Sequence, residues 1–174
     1  MGEVNYTAVS PDGRQLFATL SGGGWLLGAL PGPLTRETAA FTESPVVGGG
    51  RFAATTWSRD GRWLVGVLVT PTGGNAGNAL YNLAAGTVTR LNDVGGGELA
   101  WMPDQTWVLY ITPDGAMMIQ NIVTLKSCRV DLTLPPPDAD YTIVASPDGR
   151  TIYYGARQVE ANIWKVAAPQ AGKR

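Results

Sequence analysis

The feature that most constrains this chain is a short turn phrase that returns at a nearly fixed interval. "SPDGR" stands at 10–14 and again at 146–150, "SRDGR" at 58–62, and a degenerate copy, "MPDQT", at 102–106. The anchors Ser10, Ser58, Met102 and Ser146 are spaced 48, 44 and 44 residues apart. Each residue type suits one position of a type I turn. Ser opens it, Pro11 or Pro147 presets φ at the second place, Asp bonds its own backbone, and Gly accepts positive φ at the fourth. Followed by a left-handed residue, such a turn joins adjacent antiparallel strands. Gln105 in place of Gly predicts a small penalty there, or a turn of another type.

The strand after each turn is apolar in consecutive positions: Leu16-Phe17-Ala18, Leu64-Val65-Gly66, Val108-Leu109-Tyr110 and Ile152-Tyr153-Tyr154. A half-exposed strand would alternate; a strand covered on both faces need not. The strands before the turns, "NYTAVS", "ATTWS", "ELAWM" and "YTIVAS", are β-branched, aromatic or small. A third strand ends at Leu30, Leu83, Ile122 and Val166. Fourth strands are expected at 33–41, 87–91 and 126–132. The second unit carries five extra residues, expected in the stretch "TPTGGNAGNA" at 70–79.

A period near 44 with four strands per unit is that of a β-propeller blade. The chain therefore reads as all-β, a β-propeller of about four blades over 4–42, 50–92, 97–133 and 140–166, with a polar tail at 167–174. Almost no helix is expected. No fourth strand is visible after Val166, and "MGEV" is all that precedes the first strand. A partial propeller is the favoured expectation, completed by further blades or paired with a second copy through its open edges. A closed four-blade ring is the remaining arrangement.

Composition removes several chemistries. The chain has no histidine, so Ser–His–Asp and Cys–His catalysis cannot be assembled from it. One cysteine, Cys128, allows neither an intrachain disulfide nor a cysteine metal cluster. The net charge is −1 with scattered Arg and Lys, which gives nucleic acid no basic stripe. No stretch approaches the roughly 20 apolar residues of a membrane span, and the N-terminus lacks the pattern of a secretory signal. No cofactor, metal or catalytic residue is expected. Asp12, Asp60, Asp104 and Asp148 fall in separate blades and read as turn caps. The oxygen-rich stretches "DADY" (138–141) and "NDVGGGE" (92–98) do not match a calcium loop.

"GGGR" (48–51) and "GGGE" (95–98) read as flexible loops leading into inner strands. They put Arg51, Glu98 and Asp140 at one rim of the central channel, with Arg157 and Glu160 on the same side. These five are the candidate binding residues. Trp57 and Trp101 occupy matching repeat positions and are expected to pack between blades, and Trp164 is expected in the core.

"SPDGR" before an apolar strand, then "NIWKV" or "NALYNL", then "AAGTVTRL", resembles the repeats of TolB-like β-propellers. The resemblance runs from Asn5 to Val166, and the last blade is similar to the closing repeats of such bacterial modules. It implies a periplasmic or other extracytoplasmic setting with protein partners, or a sensing module beside a kinase or winged-helix domain. On that basis the chain is expected to be a non-catalytic module for protein interaction or ligand sensing. The alternative is the propeller portion of a multidomain prolyl-oligopeptidase-like hydrolase, and a lectin-like small-ligand propeller is a third reading. No G-x-S-x-G elbow is present, and no family active-site residue transfers to this sequence.

Overall fold

A computed structural model describes residues 4–21, 24–33, 38–132 and 140–157, with the backbone alone at 140, 141, 156 and 157. The strands form four antiparallel meanders. The first is β1 (Val4–Val9), β2 (Gln15–Leu20), β3 (Gly24–Ala29) and β4 (Ala40–Glu43), in that order across the sheet. The second runs β5 (Val46–Val47), β6 (Gly50–Trp57), β7 (Trp63–Val69), β8 (Asn75–Asn82) and β9 (Thr87–Asn92). The third is β10 (Leu99–Trp101), β11 (Trp107–Ile111), β12 (Met117–Asn121) and β13 (Ser127–Arg129), and the fourth pairs β14 (Asp140–Ala145) with β15 (Ile152–Arg157). No helix occurs among the described residues.

The recurring phrase makes the same hairpin each time. In the first sheet Gly13 N donates to Ser10 O at 2.9 Å, and Ser10 N to Gln15 O at 2.9 Å. The Ser10 hydroxyl donates to Asp12 Oδ1 (2.6 Å) and accepts from Gln15 N (2.8 Å), while Asp12 Oδ1 also accepts from Arg14 N. Side chains thus satisfy backbone groups that the turn removes from the ladder. The pattern repeats around Ser58 and Ser146, with Gly13, Gly61 and Gly149 at φ 69, 74 and 69. The degenerate copy keeps the turn: Gln105 holds φ 60, and its N donates to Met102 O at 3.0 Å. Gln105 Nε2 donates to Met102 O (2.9 Å), and Oε1 accepts from Arg59 N of the neighbouring sheet (2.5 Å). Gln105 therefore tolerates the left-handed conformation by anchoring both ends of its amide.

Three sequence expectations are refined. The five extra residues of the second unit lengthen its ladder instead of its loop. The turn at 70–74 matches that at 112–116 in its hydrogen bonds, while β7 and β8 have 7 and 8 residues against 5 each in β11 and β12. The first sheet's outer strand is Ala40–Glu43, at the end of the 33–41 stretch and beyond it. "GGGR" is no loop: Gly48 and Gly49, at φ 55 and 82, form a two-residue turn that pairs β5 with β6 and adds a fifth strand. Arg51 is consequently a strand residue, paired with Val46 and Val69. The expected third strand ending at Val166, Trp164 and the 167–174 tail lie outside the described residues.

The core consists of three layers, each between two sheets. Ala8, Phe17 and Trp25 of the first sheet meet Phe52, Ala54, Trp57, Leu64, Leu68 and Ala79 of the second. The Trp25 ring lies 6.1 Å from Phe52, edge-on, and 5.1 Å from Tyr81. On the second sheet's other face, Ala53, Val65, Val67, Leu80 and Leu91 pack with Leu99, Val108 and Tyr110 of the third, against which Trp101 also packs. Ala100, Leu109, Ile111 and Met117 then cover Ile143 of the fourth. Successive residues such as Leu64 and Val65 thus face different neighbours, which is why the middle strands carry no alternation. The inner strands adjoin in succession, β1 to β6, β6 to β10 and β10 to β14.

Candidate functional site: a cleft at the converging inner strands

The ends of the inner strands nearest the repeated turns enclose a cleft of about 360 Å³. The residue just before each anchor lines it in all four sheets: Val9, Trp57, Trp101 and Ala145. The second turn residues Pro11, Arg59 and Pro103 line it too, as does Gln105. One repeat position supplied four times therefore builds one concavity. Arg59 is the one charged side chain among the described lining residues.

The two tryptophans differ in their hydrogen bonding. Trp57 Nε1 donates to Gly61 O at 3.2 Å. Trp101 Nε1, whose counterpart acceptor would belong to Gln105, is buried without a hydrogen-bond partner. A buried N–H lacking an acceptor costs about 1–3 kcal/mol, and the residue that carries it lines the cleft.

The turn carboxylates act as caps. The Ser10 hydroxyl, and then Arg14 N, hold the Asp12 carboxyl below its ordinary value, and Ser146 and Arg150 N do the same for Asp148. Burial raises Asp60, but the bonds from Ser58 and Arg62 outweigh it and leave that carboxyl lowered. These groups stay ionised and engaged with their own turns, so they offer no general acid. No group of three or more His, Cys, Asp or Glu suited to a metal occurs among the described residues.

Of the residues proposed from sequence, Arg51, Glu98 and Asp140 sit at the opposite ends of the inner strands. Arg51 is near the start of β6 and donates Nη1 to Ser44 O at 3.1 Å. It lines a second cleft, between the first and second sheets. Glu98 directly precedes β10 and lines neither cleft. Asp140 opens β14 and Arg157 closes β15, as register partners. Glu160 lies outside the described residues. The turn-side cleft was not anticipated, although a signal for it was present: the paired Trp57 and Trp101, and the repeated position before each anchor.

Antiparallel meanders stacked face to face with their inner strands side by side define a β-propeller, here a partial one, and its form is TolB-like. The structure is similar to that of a putative TolB from Agrobacterium tumefaciens, with TM-score 0.68 and 19% identity over 89% of this chain and 54% of that one. TolB from Acinetobacter baumannii is similar at TM-score 0.66 and 17% identity, covering 92% of this chain and 39% of that chain. An auxiliary nutrient binding protein from Bacteroides thetaiotaomicron follows at TM-score 0.63 and 13% identity, covering 90% and 36%. The chain thus spans about half the length of the first and less of the other two. No family model and no curated protein matches the sequence.

Proposed function

We propose that this TolB-like propeller is a non-catalytic binding module that takes an extended segment of a partner protein at its turn-side cleft. The observation that carries this reading is the unpartnered Trp101 Nε1–H beside a cleft assembled from four equivalent repeat positions. A peptide carbonyl is the acceptor it lacks. Trp57, Pro11 and Pro103 offer apolar and ring surfaces on which an extended chain packs, and Arg59 favours an acidic residue at the edge. Among the described residues no helix is long and apolar enough to cross a membrane. No observation favours the hydrolase alternative.

The test is selection from a displayed peptide library on the immobilised chain, with Trp101→Phe and Arg59→Glu as controls. Enriched peptides should bind the wild type at least about tenfold more tightly than either variant, the scale of a hydrogen bond to a buried or charged group. Failure to enrich, or peptides indifferent to both substitutions, would overturn the reading.

A further inference from the structure

We propose, resting on the cleft reading above, that the partner segment runs outward from the turn-side cleft over the third blade and seats an apolar side chain on the turn between β12 and β13. This turn has a sister in the second blade with the same hydrogen bonds. Asn121 Oδ1 accepts from Val123 N and Thr124 N, and Leu125 N donates to Asn121 O at 3.0 Å. Asn82 Oδ1 likewise accepts from Ala84 N and Ala85 N, and Gly86 N donates to Asn82 O at 2.8 Å. Where the second blade has Ala84 and Gly86, the third has Val123 and Leu125. Val123 is 76% exposed and Leu125 45%.

Leu125 holds φ 58 at the place where Gly86 holds φ 65. A Cβ makes that left-handed conformation unfavourable, and glycine avoids the cost. Gln105, also at positive φ, answers with side-chain bonds from both ends of its amide. An aliphatic side chain has none to offer. Gln120 Nε2 steadies the turn by donating to Leu125 O at 3.1 Å, but glycine presents the same carbonyl. The turn's hydrogen bonds therefore do not require the leucine. Strain kept at an exposed position without benefit to the turn is a mark of function.

Position decides what covers these side chains. Ile122 N donates to Thr106 O at 2.9 Å, so the turn stands beside the 102–106 turn, whose Pro103 and Gln105 line the cleft. Three strand spacings separate β10 from β13, about 14 Å, which an extended chain covers in about four residues. The apolar turn thus continues the cleft outward along the same end of the third blade, and its occupant is the same extended segment. Lys126 follows the turn, and residues 121–130 include no acid. A carboxylate beside the segment's outer apolar residue is favoured there, as it is at Arg59.

The experiment selects random displayed peptides on the immobilised chain and titrates the enriched ones by fluorescence anisotropy. The double variant Val123→Ala, Leu125→Gly gives the turn its sister's residues. It should keep or raise the thermal midpoint, yet weaken the peptides at least about tenfold, the scale for burying one aliphatic side chain. Replacing the peptide's outer apolar residue by alanine should cause the same loss, and the two losses should not add. Val123→Ser, at a site too exposed to affect folding, should weaken binding severalfold. Peptides that hold the double variant as tightly as the wild type, while Trp101→Phe and Arg59→Glu weaken them, would overturn the outward contact and leave the cleft reading standing. Peptides that need the turn but ignore both cleft substitutions would sink the cleft reading, and the continuous track with it. No enrichment would sink both. A lowered thermal midpoint in the double variant would show that these side chains serve the fold, and would overturn the outward contact alone.

Discussion

Arg59 and Gln105 both depart from the repeated turn phrase, and they are bonded to each other across a blade boundary. Changing either to the residue its sister turns carry removes the same hydrogen bond. Arg59→Pro stiffens the unfolded chain, which stabilises by about 0.4–1 kcal/mol. It also deletes the N–H that Gln105 Oε1 accepts, a loss of about 0.5–1.5 kcal/mol. The net effect in the wild type is near zero or unfavourable. Gln105→Gly relieves roughly 1–2 kcal/mol of left-handed strain, against the loss of the Arg59 bond and of the Nε2 bond to Met102 O. Once Gln105 is glycine, Arg59→Pro has no bond left to break and should stabilise by its full amount. The cycle should therefore show a coupling of about 0.5–1.5 kcal/mol. Urea unfolding of the four proteins, followed by tryptophan fluorescence, measures it. If Arg59→Pro stabilises equally in both backgrounds, the bond across the blades contributes nothing.

Three further outcomes follow from the packing and the turns. Phe52→Ala removes a fully buried ring between the first two blades and should cost about 3–5 kcal/mol in urea unfolding. Ser58 is fully buried, donates to Asp60 and accepts from Trp63 N; Ser58→Ala should cost about 1–3 kcal/mol, against little for the more exposed Thr70→Ala. Because the Asp12, Asp60 and Asp148 carboxyls lie below their ordinary value when folded, their contribution is present above the unfolded pKa of about 3.9 and is lost as pH falls through the folded values. The thermal midpoint should accordingly hold from pH 7 to 5 and fall below about 4, and replacing all three by Asn should shrink that fall.

The turns and middle strands were legible because each is fixed by local chemistry. A Ser hydroxyl, an Asp carboxylate and a Gly with positive φ leave little choice of backbone, and two-faced apolar runs need a neighbour on each side. The lengthened ladder of the second blade was hidden because β8 begins "NAGN", which reads as loop. Asn78 there is fully buried with neither side-chain atom partnered. β5 escaped notice because two valines before Gly48-Gly49 carry no periodicity of their own. The turn-side cleft depends on four residues 44–48 positions apart coming together. Spacing announces the repeat but does not reveal which end of the inner strands is concave.

The stacking of one sheet on the next is tested most directly by nuclear Overhauser contacts between aromatic rings of different blades. Stacked blades require cross-peaks from Trp25 to both Tyr81 and Phe52, whose rings lie 5.1 and 6.1 Å away. Their absence, with Trp25 contacting only residues of its own sheet, would contradict the propeller.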